Sequence, residues 1–272
     1  MNNLVQYLSR RTYGVVCAYH GAEIVSIIAG VVINDDDSLI LHFPKVNPFL
    51  VGDKITIHLD NRTGIELFDI GLKVYRCSYK GIIAEELKDA LRVVAEEYVV
   101  RYGDRSILEY NNPDYKYPLD SREPRKLSRM KLAEDILPDS REKENKLGVW
   151  ITRGVERPHT TVMAFLSSIK DDIFVISHSD SYKSKLIHKD PGCMFAIDHR
   201  ASYNFEKKYE WNYTIIRAMA EIIERDDPIY SRIQAMFVEK NPWEQVFFTD
   251  QKAELFHLEA IELMCPEKYG PK

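Results

Sequence analysis

Ile173-Phe174-Val175-Ile176-Ser177-His178-Ser179-Asp180-Ser181-Tyr182-Lys183, followed by Leu186 and Asp190-Pro191-Gly192-Cys193-Met194-Phe195-Ala196-Ile197, is the deciding stretch of the chain. It begins as a β-branched and aromatic run, turns polar at Ser177, and resumes as an apolar run after a Pro-Gly turn, the pattern of two buried strands. Residues 182–188 between them have the length of a short helix. Ser177, Ser181 and Lys183 place two hydroxyls and an ammonium beside the start of that helix. A phosphate dianion needs such charge-assisted donors. Ser and Lys are also common in solvated turns for local backbone reasons, so the flanking strands weigh in the reading.

Working outward, strands are expected at 147–152, 160–166, 173–177 and 193–197, with Gly154 in a turn after the first. A long strand at 213–223 leads into the Asp226-Asp227-Pro228 turn, helical spacing covers 229–238, and 253–263 is the last strand. Toward the N-terminus, β-branched and aromatic runs at 13–19, 24–33, 39–43, 54–59, 65–68 and 72–79 read as a small β-barrel or sandwich. Lys54-Ile55-Thr56-Ile57-His58-Leu59 alternates as a strand with one buried face requires.

The period changes over 84–101. Leu87, Leu91, Val94 and Val99, with Ala90 and Ala95, trace a helical face, and Gly103 is the expected stop. Residues 104–146, rich in Asn, Pro, Asp, Arg, Glu and Lys, read as a linker with room for one short helix. The expectation is a mainly β chain with short helices: a β-rich accessory domain with a terminal helix (1–103), the linker (104–146) and a second β domain (147–272).

A formal net charge of −5 gives no broad basic field, which argues against non-specific nucleic-acid binding. The four cysteines are scattered, with no C-x-x-C pair, and fit reduced thiols in a cytoplasm. The apolar run 24–33 is too short for a membrane span of about 20 residues. No signal-peptide pattern opens the chain, so a cytoplasmic location without membrane association is expected.

The ordered series Gly148 to Thr152, then Arg157-Pro158-His159-Thr160-Thr161-Val162-Met163, then the deciding stretch, resembles the pyridoxamine 5′-phosphate oxidase-like FMN-binding split β-barrel family over about residues 147–266. The resemblance implies a split barrel that binds FMN. It places Ser177, Ser181 and Lys183 at phosphate and ribityl contacts, with Ile176 and Tyr182 adjoining them. It places Thr160, Thr161, Val162 and Met163 along the isoalloxazine, partly through backbone groups. Tyr182 departs from the Arg that many members carry, replacing a cation by a hydroxyl donor. The family commonly holds flavin at a homodimer interface, so the resemblance also implies a homodimer, with Trp211, Trp243 and Phe247 as candidates to cover the ring.

The family's Arg-containing C-terminal signature is missing from Leu263-Met264-Cys265-Pro266-Glu267, which disfavours true pyridoxamine-phosphate oxidation. The expected function is an FMN-dependent oxidoreductase with a small-molecule or electron-transfer partner and no assigned catalytic acid or base. The alternative is a non-catalytic flavin or haem carrier or sensor whose N-terminal domain engages a partner. His178, His188, His199 and His257 form no compact metal motif, and no metal site is expected. Asp171-Asp172 and Asp226-Asp227 read as turn residues. Arg125-Lys126-Leu127-Ser128-Arg129 has the R-x-x-x-R spacing of PilZ-like cyclic-dinucleotide modules. However, the accompanying Ser78-Tyr79-Lys80-Gly81 comes in reversed order, with Arg76 where Asp or Asn belongs, so an accessory barrel is the preferred reading.

Overall fold

The computed structural model describes residues 3–43, 47–61, 73–103, 105–130, 136–143, 145–198 and 213–264. The run at 65–68, Trp211, His199 and Cys265 lie outside them. The chain divides into two units: Met1–Asp120 with Gly154–Thr160, and Ser121–Arg153 with Thr161–Asp198 and Thr214–Lys272. The architecture is mainly β with few short helices, a closed six-strand barrel and a curled half-barrel sheet.

In the first unit, β1 (Arg11–His20), β2 (Glu23–Ile33), β3 (Leu39–His42), β4 (Lys54–Asp60), β5 (Tyr75–Leu87), β6 (Ala90–Tyr102) and β7 (Arg105–Asn111) follow a short helix α1 (Val5–Leu8). Their order is β3-β2-β1-β4-β5-β6-β7, with β3 also paired to β6. Leu41 shows the closure, facing Val31 of β2 on one side and Leu91 of β6 on the other. Val16, Val31, Ile57, Tyr79, Val93 and Val100 point into the resulting core.

The helix expected over 84–101 does not form: these residues belong to the β5–β6 hairpin. A bulge explains the misleading period. Lys80 pairs with Glu97 but Gly81 pairs with Ala95, so Glu96 is an extra residue on β6. The buried positions are Leu91 and Val93 before the bulge and Tyr98 and Val100 after it. Two alternating segments offset by one residue thus imitate a spacing of seven, which a helix also produces. Gly81 is required at the bulge, since a Cβ there would lie 2.6 Å from the Val94 carbonyl oxygen and 2.7 Å from Val93 Cγ1. The expected linker is not featureless either: β7 occupies its start, and Leu127, Met130 and Ile136 are buried in the second unit.

Arg157 is the most unusual core residue of the first unit, a guanidinium with no exposed surface. Its Nη1 donates to the carbonyls of Ile55 at 3.3 Å and Gly81 at 3.1 Å. Its Nη2 donates to Glu96, the bulge residue, and to Glu156 at 3.1 Å. Tyr115 covers it, with the guanidinium carbon 5.3 Å from the ring centroid and the Tyr115 hydroxyl donating to Glu156 at 2.7 Å. A buried cation survives only when paired and hydrogen-bonded in this way.

The second sheet comprises β8 (Leu147–Thr152), β9 (His159–Ala164), β10 (Leu166–Ser167), β11 (Ile173–His178), β12 (Gly192–Asp198), β13 (Tyr213–Ile223) and β14 (Ala253–Met264). Its order is β10-β11-β14-β13-β12-β8-β9. Only Phe165 separates β9 at one edge from β10 at the other. The sheet therefore has to curl until its two edges lie a residue apart. Phe165, Phe195, Trp150 and Phe256 fill the curl. Helices α2 (Tyr182–Lys189), α3 (Tyr230–Lys240) and α4 (Gln245–Thr249) connect the strands. No described helix is long and apolar enough to cross a membrane.

Candidate functional site

The deciding stretch folds as read, from β11 through a turn into α2 and on to β12. Ser181 caps α2: its backbone is extended (φ −66°, ψ 150°) and its hydroxyl accepts from the Ser184 N–H at 3.3 Å. That satisfies one of the amides a helix start leaves without an internal partner. Ser184, Leu186 and Ile187 form the buried face of the helix. Asp190 ends it, accepting from the Gly192 N–H at 2.9 Å.

Three hydroxyls meet at this start. Ser177 Oγ lies 3.0 Å from Ser181 Oγ, Ser181 Oγ donates to Ser184 Oγ at 3.0 Å, and Ser184 Oγ donates to Ser177 Oγ at 3.1 Å. Ser177 and Ser184 are buried at 2% and 0% exposure, and Ser181 is the member that reaches the surface. Ser184 was not among the expected site residues. The signal for it was present, because Ser-x-x-Ser places the fourth residue over a helix cap.

Lys183 stands in the first turn of α2, where burial pulls its ammonium below the usual lysine range against the opposing charge of Glu244. Tyr182 beside it is 44% exposed. Past the end of β13, a 3₁₀ turn (Pro242–Glu244) and α4 present Trp243, 48% exposed, and Val246. The Phe247 ring meets His178 edge-on at 5.3 Å. Donors, a partly desolvated cation and exposed apolar surface thus flank one strand end.

Thr160, Thr161, Val162 and Met163 lie on β9, the last strand of the sheet, whereas Ile176 and Ser177 lie on β11, second from the opposite edge. An edge strand turns one row of backbone N–H and C=O groups away from its neighbour. Thr160 is buried, and its hydroxyl has no hydrogen-bond partner among the described residues.

Of the histidines, His178 faces Asp250 at 3.6 Å, His188 faces Glu254 at 3.0 Å, and His257 sits between Asp172 at 2.8 Å and Glu221 at 3.0 Å. Asp172, read as a turn residue, also accepts from Ser168 Oγ at 2.8 Å, so its carboxylate joins turn and strand. Cys17, Cys77 and Cys193 are free and buried, which pushes each thiol far above its usual range and leaves it unreactive.

No family model matches the chain, and no curated protein sequence does. Among solved structures, the chain is similar to HutZ, the heme storage protein from Vibrio cholerae, at 16% identity over 46% of this chain and 88% of that one, with a TM-score of 0.41. It is similar to a putative pyridoxamine 5′-phosphate oxidase from Listeria innocua at 16% identity over 44% of this chain and 88% of that one, with a TM-score of 0.32. A FAD-binding protein from Mesorhizobium loti aligns at 9% identity over 44% and 82%, with a TM-score of 0.36.

Proposed function

We infer that the chain is an FMN-binding flavoprotein whose flavin phosphate is held at the start of α2, and that it acts as an oxidoreductase. The observation carrying this reading is the convergence of Ser177, Ser181 and Ser184 at the start of α2, with Lys183 in its first turn. The residues fit a phosphate. The hydroxyls satisfy one another, but hydroxyl hydrogens rotate, and Ser181 can redirect its donor outward while still accepting from the Ser184 amide. Each neutral hydrogen bond given up is worth about 0.5–1.5 kcal/mol, and each charge-assisted one gained is worth about 1.5–3 kcal/mol, so the exchange favours the anion. Ser177 and Ser184 lie beneath Ser181 and orient it, while Ser181, Lys183 and Tyr182 make the outer contacts.

The backbone of Thr161, Val162 and Met163 at the sheet edge offers donors and acceptors to the pyrimidine side of the isoalloxazine. Trp243 and Phe247 supply aromatic faces for the ring. FMN carries the hydride or electrons, and the chain's part is to bind, orient and shield it. A homodimer that buries Tyr182, Trp243 and Val246 completes the proposal.

The absorbance spectrum of the freshly purified protein tests it. A yellow protein with flavin bands is expected, and anaerobic NADH or NADPH should bleach them. A Soret band in their place would assign haem and overturn the flavin reading. Flavin bands that neither donor bleaches would leave a flavin carrier and overturn the oxidoreductase.

A further inference from the structure

A cavity of about 590 Å³ in the second unit contains none of the residues assigned to the flavin in its walls. Its rim joins the segment around Lys126 and Arg129, the turn after β13 and the start of β14, and Ser179 is its one link to the turn before α2. Leu127 and Ile222 give it an apolar floor.

The charges around it do not cancel. Each acid in the wall already faces a cation: Glu224 and Asp226 face Arg129 at 3.9 and 3.0 Å, and Glu254 faces His188 at 3.0 Å. Among the described residues, three cations remain without a carboxylate partner. Arg225 is fixed by backbone carbonyls, among them Phe248 at 3.0 Å, and by the Tyr230 ring, 5.5 Å from its guanidinium carbon. Lys126 and Lys252 line the cavity with no ion pair from either ammonium among the described residues. Tyr230, also in the wall, is only 5% exposed, yet its hydroxyl has no hydrogen-bond partner among the described residues. Buried hydroxyls are normally hydrogen-bonded, so this one has a donor to give to a ligand.

We propose that this cavity is a second ligand site, taking a small organic oxyanion, a carboxylate or phosphate ester with an apolar body. The oxyanion meets Lys126, Lys252 and the Tyr230 hydroxyl, and the apolar body rests on Leu127 and Ile222. A volume of about 590 Å³ lies within the ~300–1,000 Å³ range of small-molecule sites. The proposal goes beyond the flavin reading and does not rest on it.

Calorimetric titration of the full chain, with and without saturating FMN, tests it using phenyl phosphate, benzoate and, as the neutral counterpart, benzyl alcohol. With FMN saturating, phenyl phosphate or benzoate should bind once per chain, and benzyl alcohol should not. Joint replacement Lys126→Met and Lys252→Met should weaken binding about tenfold or more, as loss of charged hydrogen bonds does, while Lys183→Ala leaves it unchanged. Tyr230→Phe should weaken binding yet raise the thermal midpoint of the free protein, because it removes a buried hydroxyl without a partner. Equal binding of benzyl alcohol, undiminished binding by the double lysine variant, or no binding of phenyl phosphate and benzoate to the FMN-saturated protein would overturn the proposal. So would a lowered midpoint in Tyr230→Phe, which would mark the hydroxyl as structural.

Discussion

At the scale of single residues, the chain keeps several charged groups out of water, and their surroundings set what each can do. Arg157 is met by Glu96, Glu156 and two carbonyls; Arg157→Met strands Glu96, while Glu156 keeps Lys54 and the Tyr115 hydroxyl, and should destabilise the protein by about 3–5 kcal/mol in chemical unfolding. Lys240 is the opposite case. Its ammonium sits 3.7 Å from the Phe165 ring centroid with no hydrogen-bond acceptor among the described residues, and burial pushes it down to about 7 against the charges of Glu142 and Asp139. The unfolded chain holds that proton up to a pKa of about 10.4, so the cost is full below about pH 7 and is relieved as pH rises between the two values. Lys240→Met should therefore stabilise the protein by about 1–4 kcal/mol near pH 6, with the gain fading toward pH 10. Sequence could not separate these lysines and arginines from solvated ones, because their identity says nothing about which carbonyls or rings enclose them. The meeting of Ser177 and Ser181 was legible because strand and cap come in order along the chain.

At the scale of elements, local pattern was sufficient wherever one period ran uninterrupted. The strand at Tyr213–Ile223 and the short helix after Ser181 follow directly from it. It misled at Ala90–Tyr102, where a bulge joins two alternating segments, and nothing local marks Glu96 as the inserted residue. Gly81→Ala should push into the Val94 carbonyl and lower the unfolding midpoint, while an exposed control such as Gly103→Asn should have little effect. The contacts of β14 with its neighbours carry a pH signature. Burial draws the His257 imidazole down, but hydrogen bonds to Asp172 and Glu221 outweigh it and hold its pKa above the usual range. A raised histidine contributes stability that is full below about pH 6.5 and is lost as pH rises through the folded pKa. Unfolding followed from about pH 6 to pH 9 should show that loss in the native protein, and His257→Gln should flatten it. An unchanged profile would show that His257 does not titrate in this interval.

At the scale of the whole molecule, the β class and the presence of two β-rich units were legible from the density of strand runs and turn residues. The unit boundaries were less so, because a segment such as Gly154–Thr160 belongs by its contacts to residues far earlier in the chain. Arg157 makes the reason concrete: its partners lie 61 to 102 residues away, apart from its neighbour Glu156. The same distance effect hid Ser179, Tyr230 and Lys252 as parts of one cavity. If Tyr182, Trp243 and Val246 meet a second copy, the native chain should elute as a dimer, and Trp243→Glu with Val246→Glu should shift it to a monomer in light scattering.

Equilibrium titration of FMN fluorescence tests whether the start of α2 holds a flavin phosphate. The native protein should quench FMN saturably with one site per chain. Ser181→Ala and Lys183→Ala should each weaken binding by about 10- to 100-fold, corresponding to about 1.5–3 kcal/mol for a charged hydrogen bond. Circular dichroism should be unchanged in both. A native protein that fails to bind FMN, or variants that bind it as tightly as the native chain, would contradict the claim.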